Sequence, residues 1–470
     1  MFNTIDWCVV TVVVFFLVLV VFKFSSKAKD VENYYLASRS IPFSLLVGTL
    51  VATWYGGQGC LNSVEAGAAS GMASWGIWCV GAHLSRIPLA LWLAPKVSVR
   101  TELTIPQMLK KAYGPRIAFF IACYFMVGFL NTGEIVALRN VLSVLFGTVL
   151  AQPLVIVVLI GVVALTCFSG LMGVAVTDML LFWCMCTAVA MAVPTMWSNV
   201  GGWTGLVSSL TQTYGAAEAG RMLNPIFGSD TLGVVTLLVM SLSVYVNAGL
   251  YQRFSAADTP RSASRSYLTA FCIFIVLDFL LTASGLLVLA MEANSTNVAQ
   301  SYMAIVCRSL PSGVRAIFFV GIIGAIISTL DSMWLLAGMT FANDIVGTVK
   351  RISDKQNIFL CRVAVAAICV VSYLFATCFT GSLAATRFIA TMSMSVTFVV
   401  CLTGVFYRGR KSEFSGWATI LVGSSVYFVL TFIHPVHFNA MLVALPAAII
   451  TFLITRYIGK DLSETAVTKA

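Results

Sequence analysis

Ala52-Thr53-Trp54-Tyr55-Gly56-Gly57-Gln58-Gly59 interrupts an apolar stretch that begins near Ile41. A second interruption, Ser243-Val244-Tyr245-Val246-Asn247-Ala248-Gly249, falls in the stretch that begins near Thr231. Each glycine weakens a helix interior by about 1 kcal/mol relative to alanine. Gln58 and Asn247 add polar groups at a depth where an unpartnered polar group is expensive. Counted in apolar spans, the two interruptions lie five apart. Either one alone reads equally well as a helix packed closely through small residues. The matched pair points instead to two inverted halves, each with a broken helix, and to a binding site at the midplane where the breaks meet.

The rest of the chain fixes the environment. Its 470 residues are 59% hydrophobic and 10% charged, with mean hydropathy +0.96. Soluble domains carry roughly 25% charged residues. Apolar runs of about 17–25 residues, each long enough to cross a bilayer, recur at 7–23, 41–60, 72–95, 116–146, 153–169, 173–195, 231–250, 266–291, 313–346, 357–378, 386–407, 415–433 and 437–456. This is an all-α membrane protein with about thirteen transmembrane helices, read as one domain over 1–470. The net charge of +10 sets orientation. With the N-terminus outside and the C-terminus cytoplasmic, internal loops hold Lys23, Lys27, Lys29, Arg39, Lys96, Arg100, Lys110, Lys111, Arg253, Arg261, Arg265, Lys350, Arg351 and Arg408, and few basic residues lie outside. That bias predicts a multi-pass protein of the cytoplasmic membrane. Charge spread over many short loops excludes a nucleic-acid partner. Three lysines follow the first span and no basic residue precedes it, so it reads as a retained span rather than a cleaved signal peptide.

Ser328-Thr329-Leu330-Asp331-Ser332 lies inside the apolar segment from Ile317 to Ile345. Hydroxyl and carboxylate oxygens at close quarters replace the water shell of a small hard cation, and the cluster reads as part of a Na+ site. Ser328, Asp331 and Ser332 share one helical face. Most of the cysteines lie in apolar spans and act as small hydrophobes; a Cys60–Cys307 disulfide is left open. His434 and His437 read as a surface loop rather than a metal site. No histidine is placed beside a nucleophile and no cofactor motif is present, which argues against an enzyme.

At this point the chain resembles the sodium/solute symporter family over most of its length. Tyr34-Tyr35-Leu36-Ala37-Ser38-Arg39-Ser40, Phe168-Ser169-Gly170-Leu171 through Thr177-Asp178, Gln252-Arg253-Phe254, Ser328 to Ser332 and Asp344-Ile345 follow its motifs in order, with Leu181 where Gln is usual. The resemblance implies a leucine-transporter-like fold of five plus five inverted helices, repeat one over 41–195 and repeat two over 231–407, flanked by helices 7–23, 415–433 and 437–456. It also implies a sodium site made by the carbonyls of Ala52 and Tyr55 with Ala325, Ser328 and Thr329, and Asp178 close by. Ala52-Thr53-Trp54-Tyr55-Gly56-Gly57 and Gly133-Glu134 are similar to the choline-transporter-like branch. Two aromatic positions of that branch are Ala137 and Asn247 here, and Asn247 matches a polar substrate-binding residue of the sugar-transporting branch, so the solute stays open.

The expected substrate residues are Trp54, Gly56, Gln58, Glu134, Arg139, Asn247 and Asp331. Glu134 and Arg139 are ionisable groups embedded in the third core helix, which makes them functional candidates. Arg139 could hold a carboxylate through its planar fork or snorkel to the outer surface. Arg387 reads as an interface anchor, and 201–210 with Trp197 and Trp203 as an external interfacial helix. The expected function is sodium-coupled import of a small polar organic solute by a monomer in the lipid bilayer. Proton coupling through Asp178 or Asp331, and a solute sensor or channel on the same scaffold, are the alternatives.

Overall fold

A computed structural model describes residues 2–25, 30–226, 231–293, 295–378 and 390–462. Helix occupies every apolar stretch wherever it is described, and the described residues hold no sheet beyond one isolated bridge. Arg387 lies outside the described residues. In chain order the helices are α1 Thr4–Ser25, α2 Phe43–Trp54, α3 Gly57–Ser70, α4 Ser74–Ser98, α5 Ile105–Tyr113, α6 Pro115–Gly128 and α7 Thr132–Phe146. The run Thr148–Val200 follows; Gly170, at φ 60° and ψ −175°, splits it into α8 (148–169) and α9 (171–200). Unbroken, its 53 residues would span about 80 Å, far beyond a hydrocarbon core of about 30 Å. Glycine is the residue that accepts this turn without strain. Next come α10 Gly202–Tyr214, α11 Ala216–Leu223, α12 Thr231–Val246, α13 Ala248–Ala256, α14 Pro260–Met291 and α15 Val298–Ser309. The chain continues with α16 Val314–Val349, α17 Asp354–Ala376, α18 (390–406, with a turn at Thr397), α19 Glu413–Ile433 and α20 Met441–Thr455.

Local sequence accounts for the boundaries. Thr259 Oγ1 accepts from Ser262 N at 3.1 Å just before Pro260 opens α14, an N-cap followed by a proline preset for the first turn. Ser353 and Ser412 form capping boxes at the starts of α17 and α19. The outward faces are apolar rather than charged: Phe15, Phe22, Val157 and Val370 are all more than half exposed. The protein is a multi-pass membrane protein. Seven described helices are long and apolar enough to cross a membrane, or eight if the bent pair α12–α13 counts as one span. This measure falls below thirteen because several stretches are broken into halves too short to qualify, as α2 is at 12 residues.

Polar ties fix how the helices run. Asp6 in the first turn of α1 accepts from Gly313 N (2.7 Å) and Arg315 Nη2 (2.6 Å) at the start of α16, so α1 and α16 begin on the same side. Ile41 ahead of α2 pairs with the end of α13, its N–H donating to Ala256 O at 3.0 Å and its carbonyl accepting from Asp258 N at 3.1 Å. The broken helices α2–α3 and α12–α13 therefore run antiparallel. All thirteen cysteines are free, and Cys60 packs its sulfur 3.5 Å from Met185 Sδ. Trp197 and Trp203 are exposed at the α9–α10 junction with ring centroids 6.4 Å apart, as expected for an interfacial element.

Candidate functional site

The first break is a real interruption of the helix. Tyr55 leaves helical geometry at φ −94°, ψ 80°, and Gly56 follows at φ −69°, ψ 172°. The backbone ladder stops at Tyr55 N to Val51 O (2.8 Å) and resumes at Cys60 N to Gly56 O (3.0 Å). Among the described residues no backbone N–H closes on the carbonyls of Ala52 or Tyr55. The opposite half-helix is capped from outside: Glu134 Oε2 accepts from Gln58 N at 2.9 Å. A carboxylate at a helix N-terminus satisfies an orphan donor and meets the positive end of the dipole. Glu134 reaches there because Asn131, left-handed at φ 50°, starts α7 beside α3. The approach is close enough that a Cβ on Gly133 would run into the Gln58 side chain, and one on Gly56 into Glu134 Oε1 and Thr329 Oγ1. At the second break Asn247 departs from helical geometry (φ −78°, ψ 110°), and its side chain accepts from Leu250 N at 3.0 Å, capping α13.

Oxygens from three helices gather at the first break. Thr329 Oγ1 donates to Ala325 O at 3.0 Å and lies 3.3 Å from Ala52 O. Ser328 Oγ donates to Asp178 Oδ1 at 2.5 Å, and Thr49 Oγ1 to Asp178 Oδ2 at 2.5 Å. Asp178 is fully buried. Its counter-charge is Arg253, also fully buried, with Nη2 3.9 Å from Asp178 Oδ2 and 2.5 Å from Ser332 Oγ. Asp331 is buried beside this group, and neither of its oxygens has a hydrogen-bond partner among the described residues. A hydroxyl that gives its proton to a carboxylate keeps its lone pairs for another ligand, so Ser328 is oriented as an oxygen donor. Ala52, Ala325, Ser328, Thr329 and Asp178 are thus brought together, and the open carbonyl of Tyr55 lies on the same break.

A cavity of about 290 Å³ lies beside the breaks, lined by Trp54, Gln58, Gly133, Asn247, Gly249, Met333 and by α18 through Ser393 and Thr397. Of the seven residues expected to hold substrate, Trp54, Gln58 and Asn247 line it. Gly56, Glu134, Arg139 and Asp331 do not: Gly56 and Glu134 build the break, Asp331 sits with Arg253 and Asp178, and Arg139 is half-buried further along α7.

Several residues escaped the sequence. Arg253 was expected in an internal loop; the structure corrects this, because α13 runs on to Ala256 and buries it completely. Thr49 is a single hydroxyl in an apolar helix and gave no signal. His83 and Arg86 on α4 and Asp278 on α14 are buried, with His83 Nε2 2.6 Å from Asp278 Oδ2. Their only sequence signal was charge inside an apolar run, and 195 residues separate the pair. The motif residues also interlock: Tyr35 OH donates to Asn357 Oδ1 (2.7 Å), Gln252 Nε2 to Tyr35 O (3.0 Å) and Thr104 Oγ1 to Asp344 Oδ1 (2.8 Å).

Two antiparallel broken helices whose breaks share one cavity define a membrane transporter of the inverted-repeat kind. The model of the Sodium:solute symporter family matches residues 34–420. The chain belongs to that family. It is 25% identical over 403 residues to the High-affinity choline transporter 1 of Drosophila melanogaster, covering 78% of this chain and 62% of that protein. It is 24% identical to the Sodium/myo-inositol cotransporter of Canis lupus familiaris over 74% of this chain and 55% of that protein. The chain therefore spans less than two thirds of the length of these relatives. A solved Na+-coupled sialic acid symporter in a substrate-bound outward-open state shares the fold with a TM-score of 0.82 at 15% identity, covering 98% of this chain and 99% of that one. The fold is the leucine-transporter type that the resemblance implied, and the paired breaks pointed to its inverted halves. The family and these relatives are transporters, not enzymes.

Proposed function

We propose that the protein is a sodium-coupled symporter importing a small polar organic solute across the cytoplasmic membrane by alternating access. The observation that carries this reading is the meeting of Ala52 O, Ala325 O, Thr329 Oγ1 and Ser328 Oγ at a helix break, with the open Tyr55 carbonyl and the buried Asp178 beside them. These are hard oxygen donors, two of them on a half-helix free to change its angle. Sodium binds when Thr329 turns its hydroxyl proton away from the two carbonyls and all lone pairs face inward. Asp178 contributes charge at short range in a low dielectric and fixes the proton of Ser328. Trp54, Gln58 and Asn247 take the solute, whose volume the cavity of about 290 Å³ limits. The matches to choline and inositol transporters support a polar solute without choosing one. Repeat one over 41–195 and repeat two over 231–407 move against each other, and the Gln252–Tyr35–Asn357 chain with the Ile41–Ala257 bridge holds one side shut until release. The N-terminus lies outside and the C-terminus inside, as the basic loops direct.

The test is uptake into proteoliposomes with a panel of cholines, polyols, amino acids and carboxylates, with and without a sodium gradient. One solute should accumulate only with sodium, and Ser328→Ala with Thr329→Ala should raise the sodium concentration for half-maximal uptake at least tenfold. An unchanged sodium requirement in that double variant, at normal expression, removes the assignment.

A further inference from the structure

Arg86 is a buried cation that the sodium site does not use. It lies twelve residues from each end of α4 (Ser74–Ser98) and is only 3% exposed, too deep to reach the headgroups. Widened π-helical turns at Ser74–Gly81 and Leu89–Leu93 flank it, a distortion often found at functional positions. Its guanidinium lies 3.9 Å over the Trp54 ring and 4.9 Å from the Phe274 ring. The two rings attend to the faces of the cation, an attraction that strengthens when the cation is desolvated. They leave its edge open: Nε and Nη1 have no hydrogen-bond partner among the described residues. No carboxylate among the described residues forms an ion pair with it. The acid on the neighbouring helix, Asp278, is engaged with His83 Nε2 at 2.6 Å and Ser63 Oγ at 3.5 Å. The phenol of Tyr267, two turns before Phe274 on the same helix, is likewise buried and has no hydrogen-bond partner among the described residues.

A buried cation without a counter-ion is strongly unfavourable, and each unpaired buried donor adds to that cost. The rings cannot supply what the in-plane N–H groups need; an anion in the plane of the guanidinium can. Trp54 belongs to both environments, with its ring against Arg86 and its side chain in the cavity wall. We propose that Arg86 anchors a small-anion site behind Trp54, filled during the transport cycle by a carboxylate or a halide that takes the open N–H groups of Arg86. The anion is either a carboxylate carried by the solute or a separate inorganic ion. In the first case the inference rests on the symporter reading and narrows its substrate to carboxylate-bearing solutes.

The experiment is thermal unfolding of the purified protein at fixed sodium, with a bulky sulfonate, 2-(N-morpholino)ethanesulfonate, replaced stepwise by acetate or by chloride. Wild type should show a saturable rise in midpoint with at least one small anion, and Arg86→Gln should weaken that binding at least tenfold. A rise with acetate alone assigns the site to a solute carboxylate, and a rise with chloride that acetate does not displace assigns it to an inorganic ion. Arg86→Lys keeps a charge but not the planar edge, and should also bind at least tenfold more weakly; it serves if Arg86→Gln does not fold. The Ser328→Ala, Thr329→Ala variant should keep the anion response while losing the response to sodium, which separates this site from the sodium assignment. The proposal is wrong if wild type responds to neither anion beyond the bulky sulfonate, or if both Arg86 variants respond as wild type does.

Discussion

Replacing Glu134 tests whether the half-helix α3 is held by a carboxylate from another helix. Glu134 is buried and its Oε2 accepts from Gln58 N at 2.9 Å. Glu134→Ala leaves that N–H buried and unpaired, at a loss of about 1–3 kcal/mol. It also removes a negative charge from a helix N-terminus, worth up to about 2 kcal/mol in a partly buried setting. The sum is about 2–5 kcal/mol, a shift of roughly thirty-fold to several thousand-fold in the unfolding equilibrium at 1.4 kcal/mol per tenfold. Glu134→Gln keeps an acceptor oxygen and loses chiefly the charge, so about 1–2 kcal/mol is expected. Reversible unfolding in mixed micelles, followed by tryptophan fluorescence, reads both variants, and uptake is measured in parallel. Glu134→Ala should unfold well before Glu134→Gln, and Glu134→Gln before wild type. If both unfold with wild-type midpoints while uptake alone falls, the capping argument fails and Glu134 is a substrate ligand.

Asp178→Asn keeps the size of the side chain and removes the charge that faces Arg253 at 3.9 Å; apparent sodium affinity in uptake should fall at least tenfold, and a wild-type value would return Asp178 to a purely structural role. Gly56→Ala places a Cβ against Glu134 Oε1 and Thr329 Oγ1, whereas Gly59→Ala meets nothing nearer than 3.5 Å. Overpacking costs about 1–3 kcal/mol, so unfolding midpoints should drop for Gly56→Ala and hold or rise for Gly59→Ala, and equal midpoints would show that the break has room to spare.

The features legible in the sequence were those that violate the rules of an apolar helix. Glycine pairs with Gln58 or Asn247 marked the breaks, and five residues from Ser328 to Ser332 marked the oxygen cluster. Motif order marked the family, and the structure shows what the motif residues hold: Tyr35 links Gln252 and Asn357 by hydrogen bonds, and Asp344 pairs separately with Thr104. Contacts between distant residues left no trace. Thr49 and Asp178 are 129 positions apart and Arg253 and Ser332 79 apart. A lone hydroxyl or an arginine after an apolar run has the same appearance whether it is solvated or buried. Glu134 was legible as an embedded charge, but its proximity to the Gln58 backbone was not, because that depends on the left-handed turn at Asn131.

On the proposed reading, the geometry also explains how a sodium site and a solute site act on each other. Ala52 and Tyr55 contribute open carbonyls to the oxygen cluster, and Trp54 and Gln58 line the cavity, so both sites draw on the same seven residues. Gly56 lies between them, in contact distance of the Thr329 hydroxyl on one side and the Glu134 carboxylate on the other. A cation that orders the carbonyls fixes the angle at which α2 meets α3, and that angle sets where Trp54 and Gln58 stand in the cavity wall. Linkage then requires the converse: a solute seated between Trp54, Gln58 and Asn247 favours the same angle and raises sodium affinity by the factor with which sodium raises its own. The second break is capped by its own Asn247 and carries Arg253 two turns further on, against Asp178 and Ser332. Each broken helix thus has one end in the cavity and one among the charged groups of the cation cluster, which is the connection a coupled transporter needs and a passive channel does not.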